Sequence, residues 1–492
     1  MTNLTSSTGT ISSAGIGSGL DVNNIVTSLM GVERQPLLRL QAAATALQTK
    51  LSAFGQLKSV VSALQDAATP LFNPDSFSLT NAGSSDPSSV SAGTSTSAVP
   101  GIYSVSVASL SASQSIVSTA GQFADSAAVV GTGSLTIRLG TWNAARTAFT
   151  AKTGSVDITI PIGATENTLA GIRDKINAAN SGVSAAIVTD ASGSRLSLQS
   201  TAAGAANGFR VLVADSDAGN SDAIGLSRLA YDPAGGGAQL TLAQSAANTQ
   251  ATINGIAVSS ASNTLDNVID GITFNLGKVT TQPVTVNITR NTDAIKAKVA
   301  SFVAAYNTLN GFLSSATHYD ATSKQGALLQ GDGTTTGIQN QLHALVSQGS
   351  PASAVFKTLS TIGVQVQKDG SLKLDDTNFA AAVAKLPELT KALSTVDATN
   401  AANNGIGKRF AAWTDKVLAS NGSLPGKTMA LQSQLTTNQK NQNALSDRLV
   451  LVEKRLRAQY TTLDSTMAKA NALSQYVTQQ FYTKSNSNTS NG

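Results

Sequence analysis

The stretch LSDRLVLVEKRLRAQYTTL, residues 445–463, decides the fold. Its leucines recur every seven residues, the spacing of a helix that buries one stripe of side chains against a partner helix. The same stripe extends in both directions and consists of Leu445, Leu449, Val452, Leu456, Leu463, Ala470, Leu473 and Val477. We therefore predict one long helix from about residue 425 to residue 481, and a helix of this length needs a long partner.

The start of the chain carries a second stripe that could be this partner. The apolar side chains that follow Asp21 lie on one helical face, and after Pro36 the spacing of three and four resumes over several turns. Pro36 predicts a break between two helical pieces. Packing of the two chain ends as a coiled-coil stalk gives a predicted assembly interface of Val22, Ile25, Leu29, Leu40, Leu47, Phe54, Leu449, Val452, Leu456, Leu463, Leu473 and Val477.

Within this interface, we expect one stripe to receive the other. Leu449, Leu456 and Leu463 occupy the same heptad site, and the stripe that best fits them consists of Leu40, Leu47 and Phe54. The alternative is that each helix covers a local sheet and the two ends do not meet.

The glycines just before the first helix raise the question of a phosphate site. The stretch GIGSGLDVNNIVTSLM, residues 15–30, has the glycine spacing of a nucleotide-binding loop, but no strand precedes it. Asp21 at the start of the helix would also repel a phosphate, whereas it suits the positive end of the helix dipole as a cap. We interpret residues 1–20 as a flexible lead whose glycines form a hinge.

The middle of the chain has the period-two pattern of antiparallel strands. The predicted strands lie at IYSVSVASL (102–110), GSLTIRL (133–139), VDITIPI (156–162), GVSAAIVTD (182–190), SRLSLQS (194–200), FRVLVADS (209–216), ATINGIAVSS (251–260), ITFNLG (272–277) and PVTVNITR (283–290). One helix interrupts them at residues 168–180, with Leu169, Ile172 and Ile176 on its apolar side.

Helical periodicity returns at residues 292–313, where Asp293 and Thr292 are predicted caps, and a hairpin with a tight primed turn is predicted at Asp369-Gly370. The fold class is therefore multidomain α+β: the helices at both chain ends form a stalk, and the β-rich middle of the chain is inserted between them.

Composition excludes several classes of function. The 492 residues carry a net charge of only +5 and no block of basic residues, which does not suit nucleic-acid binding. The absence of cysteine excludes disulfides, thiolate catalysis and cysteine-ligated zinc. No apolar run is long enough to cross a membrane, so we expect a soluble protein without membrane insertion.

No catalytic, cofactor or metal site is predicted. His318 and His343 lack further ligands at metal spacing, and the acidic run with Asp215, Asp217 and Asp222 lacks the bidentate glutamate of a calcium loop. We expect no enzyme activity. One alternative stays open from these residues: a glycan-binding adhesin, for which the insert offers the aromatic residues Tyr103, Trp142, Phe149 and Tyr231.

Four motifs in order resemble the flagellar hook-associated protein 2 family, which caps bacterial flagellar filaments. They are SGLDVNNIVTSLMGVERQPL (18–37), NTLDNVIDGITFNL (263–276), FVAAYNTLNGFL (302–313) and STIGVQVQKDGSLKLDDTNFAAAV (360–383). The segment at residues 168–188 is similar to a small repeat of flagellin-like axial proteins. Residues 111–154 and 203–250 match least. Another axial structural protein of the flagellum stays open as an alternative.

The resemblance also implies a domain division, with two nested β-rich domains inserted between helical chain ends. The implied domains are a coiled-coil stalk, partly disordered before assembly, at 1–40 with 430–492, a mainly helical domain at 41–78 with 291–429, an inner β-rich domain at 79–115 with 240–290, and an outer α+β domain at 116–239.

The resemblance implies a function, partners and a location. It implies a structural cap at the distal end of the filament that retains exported flagellin and promotes its folding and insertion. The implied partners are other copies of this chain in a homo-oligomeric ring, often pentameric in this family, flagellin, the hook-filament junction proteins, an export chaperone and the flagellar type III export apparatus. The implied location is extracellular, at the flagellar tip, after export without a cleaved signal peptide.

Overall fold

The computed structural model describes residues 21–487, so the predicted glycine hinge lies outside the described residues. In this range the helices are α1 (Val22–Glu33), α2 (Gln35–Ala68), α3 (Leu169–Ala178), α4 (Thr292–Thr317), α5 (Gly333–Ser347), α6 (Asp376–Val383), α7 (Leu386–Ser394), α8 (Ile406–Leu418) and α9 (Ser423–Ser487). The two ends are helical, as predicted.

The strands of the described range lie mostly between α2 and α4. They are β1 (Thr80–Ser84), β2 (Val90–Thr94), β3 (Gly101–Ser109), β4 (Ser115–Val117), β5 (Gly133–Trp142), β6 (Phe149–Ala151), β7 (Ile158–Ile162), β8 (Val183–Asp190), β9 (Gly193–Ser200), β10 (Gly208–Asp215), β11 (Tyr231–Asp232), β12 (Gly237–Ala238), β13 (Thr241–Gln244), β14 (Thr249–Ile253), β15 (Ile256–Ser260), β16 (Thr264–Ile269), β17 (Ile272–Leu276), β18 (Val284–Arg290), β19 (Tyr319–Asp320), β20 (Gln325–Gly326), β21 (Val364–Val366) and β22 (Leu372–Leu374). The predicted fold class, helical ends around a β-rich middle, is confirmed.

The chain forms two compact units. One contains the residues up to Asn73 together with those from Lys298 onward, and the other is Pro74–Ala297. The first unit is therefore built from both ends of the chain, while the second is a continuous insertion.

In the helical unit, α2 packs against both α8 and α9. The C-terminal half of α2 buries its apolar stripe there, including Phe54, Leu57 and Val61. Aromatic rings hold α4 against α8, since the ring centroids of Phe302 and Phe410 lie 4.9 Å apart in an edge-to-face arrangement. This core anchors the C-terminal half of α2 and the N-terminal part of α9.

The predicted break at Pro36 is confirmed and is slight. Helix α1 ends at Glu33, and Pro36 lies in the first turn of α2, where its missing N–H costs no hydrogen bond. Arg34 between the two helices keeps near-helical angles, with φ −78° and ψ −13°.

The inserted unit contains two apolar cores. In the first, the sheet β1-β18-β3-β14-β15 packs on the sheet β16-β17-β2 through residues that include Val105, Val286 and Phe274. In the second, the sheet β12-β11-β10-β5-β6, with β7 beside β5, packs on the sheet β13-β4-β9-β8 and on α3. The side chains of Leu169, Ile172 and Ile176 on α3 are buried in this second core, as predicted.

Asn263 ties together the two places where the chain passes between these cores. Its Oδ1 accepts hydrogen bonds from the backbone N–H of Ser111 (2.7 Å) and from Thr249 Oγ1 (2.6 Å), and its Nδ2 donates to the Ser111 carbonyl (3.2 Å). A single amide therefore satisfies groups on both passages of the chain, although nothing in the pattern of the sequence indicated this role.

Two local predictions were wrong. The α4 cap is Asn291, whose Oδ1 accepts the Ala294 N–H at 2.9 Å, and Thr292 and Asp293 already belong to the helix. An asparagine side chain is short enough to reach that N–H from just outside the helix.

The hairpin at Asp369-Gly370 exists, but its turn is not primed. Gly370 alone in this loop has a left-handed φ, +78°, and its N–H donates to the Gln367 carbonyl at 3.0 Å. This is the geometry of a three-residue loop that ends in a left-handed glycine.

Candidate assembly interface

Asp21 begins α1 as a helix cap. Its Oδ1 accepts the backbone N–H of Asn24 at 3.0 Å. The carboxylate therefore occupies the position near the helix N-terminus that an anion would need. The capped-helix interpretation is confirmed.

A small apolar cluster joins α1 to α9. Val22, Val26 and Met30 are buried against Leu449 of α9. Half-buried side chains surround this cluster: Leu37, Leu445, Val452, Leu456 and Tyr460. We call these nine residues the seam.

The seam differs from the predicted interface on α1. Its buried residues follow each other at spacings of four, whereas the predicted set was Val22, Ile25 and Leu29. Ile25 is half-buried, and Leu29 is exposed. Both spacings describe one side of a helix, so periodicity alone did not distinguish faces that differ by a small rotation.

Three contacts fix the direction and register of the two chain ends. Arg457 Nη1 donates to Asn23 Oδ1 at 3.0 Å, and Gln442 Nε2 donates to the Leu40 carbonyl at 3.4 Å. Further along α2, the Lys427 Nζ lies 5.8 Å from the centre of the Phe54 ring. Residue numbers rise on one helix while they fall on the other, so the pairing is antiparallel.

This register changes the expected partners of the α9 leucines. Leu449 packs on α1, not on the stripe of Leu40, Leu47 and Phe54. That stripe lies further along the pair, where Leu40 is next to Gln442. A heptad pattern is unchanged by a shift of seven residues, so the sequence allowed more than one register.

Several predicted interface residues on α9 remain uncovered in the described chain. Val452 and Leu456 are half-buried in the seam, but Leu463, Leu473 and Val477 are exposed. They lie beyond the part of α9 that the described residues of α1 reach. Leu40 and Leu47 are half-buried, and Phe54 is fully buried.

A polar layer interrupts the apolar stripe next to the seam. Asn438 is buried, and its Oδ1 accepts a hydrogen bond from Gln442 Nε2 at 2.5 Å. The same Gln442 Nε2 contacts the Leu40 carbonyl on the facing helix. A buried amide in a coiled coil favours the register in which it finds partners. The signal in the sequence is the pair Asn438 and Gln442 at positions where the stripe would otherwise be apolar.

Charged side chains border the seam. Glu453 accepts hydrogen bonds from Arg457 (2.8 Å) and lies 3.7 Å from Arg34 across the helix pair. These groups are partly exposed, so each pair contributes little to stability. They do contribute to orientation, because Arg457 also binds Asn23.

A less exposed ion pair lies where α9 begins. Lys427 Nζ is 2.6 Å from Asp332 Oδ2, and Asp332 also caps α5 through the N–H groups of Thr334 and Thr335. Burial raises the pKa of Asp332, but its hydrogen bonds with Lys427 and Thr335 outweigh burial and keep the pKa below its ordinary value.

The titratable residues considered as metal or catalytic candidates have ordinary roles. His343 Nε2 lies 2.9 Å from Asn310 Oδ1, and His318 is exposed. Asp215 binds Ser227, and Asp217 accepts a backbone N–H two residues further along the chain. Among the described residues, no three His, Asp or Glu side chains are grouped as a metal site would require.

The aromatic residues of the insert pack mainly on one another. The ring centroids of Trp142 and Phe149 are 4.7 Å apart, and those of Trp142 and Tyr231 are 6.0 Å apart. Tyr231 is buried, and Trp142 Nε1 donates to the Phe209 carbonyl. Tyr103 packs against Phe274 in the other core.

In the part of the chain that the structure describes, no helix is both long and apolar enough to span a membrane.

Comparison with known protein families gives three matches along the chain. Residues 18–114 match the family model for the flagellar hook-associated protein 2 N-terminus, and residues 246–472 match that for its C-terminus. Residues 148–202 match the flagellin hook IN motif, which here covers α3 with β8 and β9.

Individual relatives are similar over nearly the whole chain. Flagellar hook-associated protein 2 of Escherichia coli K12 is 34% identical over 97% of this chain and 99% of its own length. B-type flagellar hook-associated protein 2 of Pseudomonas aeruginosa is 32% identical over 92% of this chain and 94% of its own length. The crystal structure of the D1-D2-D3 domains of the flagellar cap protein FliD from Escherichia coli aligns with a TM-score of 0.62 at 31% identity, covering 77% of this chain and 99% of that chain.

Proposed function

Because this chain belongs to the flagellar hook-associated protein 2 family, we propose that it caps the distal end of the bacterial flagellar filament. The observation that carries this proposal is similarity over nearly the full length to relatives of that name. A solved structure that aligns with this chain is that of a flagellar cap protein. The role is structural rather than catalytic: the cap retains exported flagellin and promotes its folding and insertion.

The proposed partners follow from a position at the growing tip. They are other copies of this chain in a ring, flagellin, the hook-filament junction proteins, an export chaperone and the type III export apparatus of the flagellum. The protein acts outside the cell after export without a cleaved signal peptide. The flagellin hook IN motif at residues 148–202 supports a relationship to the axial proteins of the flagellum.

We also propose that the two chain ends form the stalk that seats the cap. Two observations support this proposal. Leu449 is buried against Val22, Val26 and Met30. Helix α9 also extends beyond the seam, and its apolar side chains there are exposed: Leu463, Leu473 and Val477. Exposed apolar side chains on a long helix favour association with another protein surface.

The proposed domain division follows the cores. We place the stalk in residues 1–40 with 430–492, of which 1–20 and 488–492 lie outside the described residues, the helical domain in 41–78 with 291–429, and the two β-rich domains inside the insertion. The two separate apolar cores of the insertion support an inner and an outer domain. We move the second boundary from 240 to about 245, because β13 pairs with β4 of the outer sheet.

Deletion of the gene tests the capping function. We expect the deleted strain to release unpolymerised flagellin into the medium, to carry short or no filaments by electron microscopy, and to swim poorly. The wild-type gene should restore filaments, whereas Leu449→Asp, which places a charge in the seam, should not. Filaments of normal length in the deleted strain would refute the proposal.

A further inference from the structure

The outer parts of α1 and α9 expose large apolar side chains that the seam does not use. On α1, Leu29 is 38% exposed and Val32 is 71% exposed. On α9, Val450 is 66% exposed and Leu451 is 67% exposed. These exposed apolar side chains lie outside the contact between α1 and α9, so they form a further surface that another protein surface could cover.

These residues form two separate surfaces. In a helix each residue is turned by about 100° from the previous one, so Leu29 and Val32 lie to one side of the buried Val26. Because α9 runs antiparallel to α1, its residues turn in the opposite sense when both helices are viewed from the same end. Val450 then lies on the opposite side of the pair, and Leu451 faces away from α1. We call Leu29, Val32 and Glu33 the α1 surface, and Val450, Leu451 and Lys454 the α9 surface.

The two surfaces lie at the same level along the helix pair. Met30 and Leu449 share the buried cluster, and Asn23 binds Arg457 a little further along. Val32 and Val450 are each close in sequence to the members of that cluster, so they are separated along the axis by no more than about one turn, ~5 Å.

Charge distinguishes the two surfaces. Glu33 is the one carboxylate within α1, and it follows Leu29 by one helical turn. Lys454 follows Leu451 by three residues on α9. Neither Glu33 nor Lys454 forms an ion pair with another residue in the described part of the chain. One surface therefore combines apolar side chains with a free acid, and the other combines them with a free base.

We infer that the α1 surface of one copy binds the α9 surface of the next copy, head to tail. The inference rests on the proposed function, because it names the surfaces by which the ring forms. Two different surfaces that fit each other give a heterologous contact, which repeats around a ring or along a filament. Since both surfaces lie at one level, successive copies are added without a shift along the helix axis, and the contact can close.

Mixing of variants with one damaged surface tests this arrangement in the full-length protein. Variant A carries Leu29→Ser with Val32→Ser, and variant B carries Val450→Ser with Leu451→Ser. By analytical ultracentrifugation, wild-type protein should form a closed oligomer, and A and B alone should associate at least about tenfold more weakly. An equal mixture of A and B should form a heterodimer and nothing larger, because only the α9 surface of A and the α1 surface of B remain intact.

A charge exchange and a control complete the test. Glu33→Lys and Lys454→Glu should each weaken association, and the double variant should restore it. Met429→Ser, which changes an exposed residue of α9 outside both surfaces, should associate as wild type does. Circular dichroism should show equal helix content in all variants.

The inference is overturned if wild-type protein stays monomeric, if A and B form the wild-type oligomer, or if their mixture does. Those results would leave the capping function intact when the gene still restores filaments in the deleted strain. A failure of the gene to restore filaments would instead count against the capping function, whatever the oligomeric state.

Discussion

Single polar side chains fix much of the local geometry of this protein. Asp21 starts α1, and Asn263 connects two passages of the chain inside the insertion. In the helical unit, Tyr306 is fully buried on α4, and its hydroxyl donates to the Gly370 carbonyl at 3.1 Å. This hydrogen bond links α4 to the loop between β21 and β22.

Ionisation of Tyr306 makes the free energy of unfolding fall with pH in the alkaline range. Burial raises its pKa from 10.0 to about 12. A pKa raised by folding adds stability that is fully present below pH 10 and is lost as pH rises towards 12, because the unfolded chain ionises first. A shift of this size corresponds to a loss of about 3 kcal/mol in the free energy of unfolding.

We expect Tyr306→Phe to flatten this alkaline loss when urea unfolding is measured between pH 9 and about pH 12. Tyr319→Phe, at an exposed tyrosine, is the matched control and should keep the wild-type slope. Equal slopes for Tyr306→Phe and wild type would show that this hydroxyl does not titrate as proposed.

At the level of elements, the sequence predicted the helices and most strands, but it did not predict the register in which they pair. Alternation and heptad spacing are local signals, so α3, β3 and α9 could be located from them. The pairing of Leu449 with α1 depends on side chains more than four hundred residues apart. A heptad pattern does not determine which turn of one helix faces which turn of the other, because a shift by seven residues leaves the pattern unchanged. The cap was missed because Asn291, Thr292 and Asp293 are three adjacent residues that all favour the N-cap position, so residue type alone did not select Asn291.

The seam should control local opening of α1. Leu449→Ala removes buried side-chain volume from a small cluster at the edge of the protein, so we expect it to lower the free energy of local opening by about 2 kcal/mol. Native-state hydrogen exchange should then be about thirtyfold faster for the amides of α1. The control change Gln459→Ala, at an exposed residue of the same helix beyond Leu449, should leave exchange unaltered. Unchanged α1 protection in Leu449→Ala would mean that the seam does not hold α1.

The whole molecule is divided between an insertion with its own cores and a helical unit made from both chain ends. In the insertion, β1 pairs with β18 so that Thr80 lies opposite Arg290, and the Asn291 N–H donates to the Leu79 carbonyl. The first and last strands of the insertion are therefore joined to each other.

This closure predicts that the insertion folds alone. Residues 74–297 should give a soluble, strand-rich fragment with one or two cooperative thermal transitions. Residues 81–290 should also fold but melt at a lower temperature, since that fragment loses Leu79 and Asn291 and one ladder position. A circular dichroism spectrum of an unfolded chain for residues 74–297 would contradict this prediction.

The hydrogen bond between Asn23 and Arg457 joins positions 434 residues apart. This separation affects the order in which the parts of the protein fold. The entropy lost on closing a loop rises with its length, so contacts this distant in sequence form late unless the intervening chain is already compact. Once Thr80 and Arg290 are paired, the route between the two ends no longer runs through the insertion. The two-helix pair is thus expected to close last and to reopen first, which leaves it free to exchange its own partner for another surface while the rest of the protein stays folded.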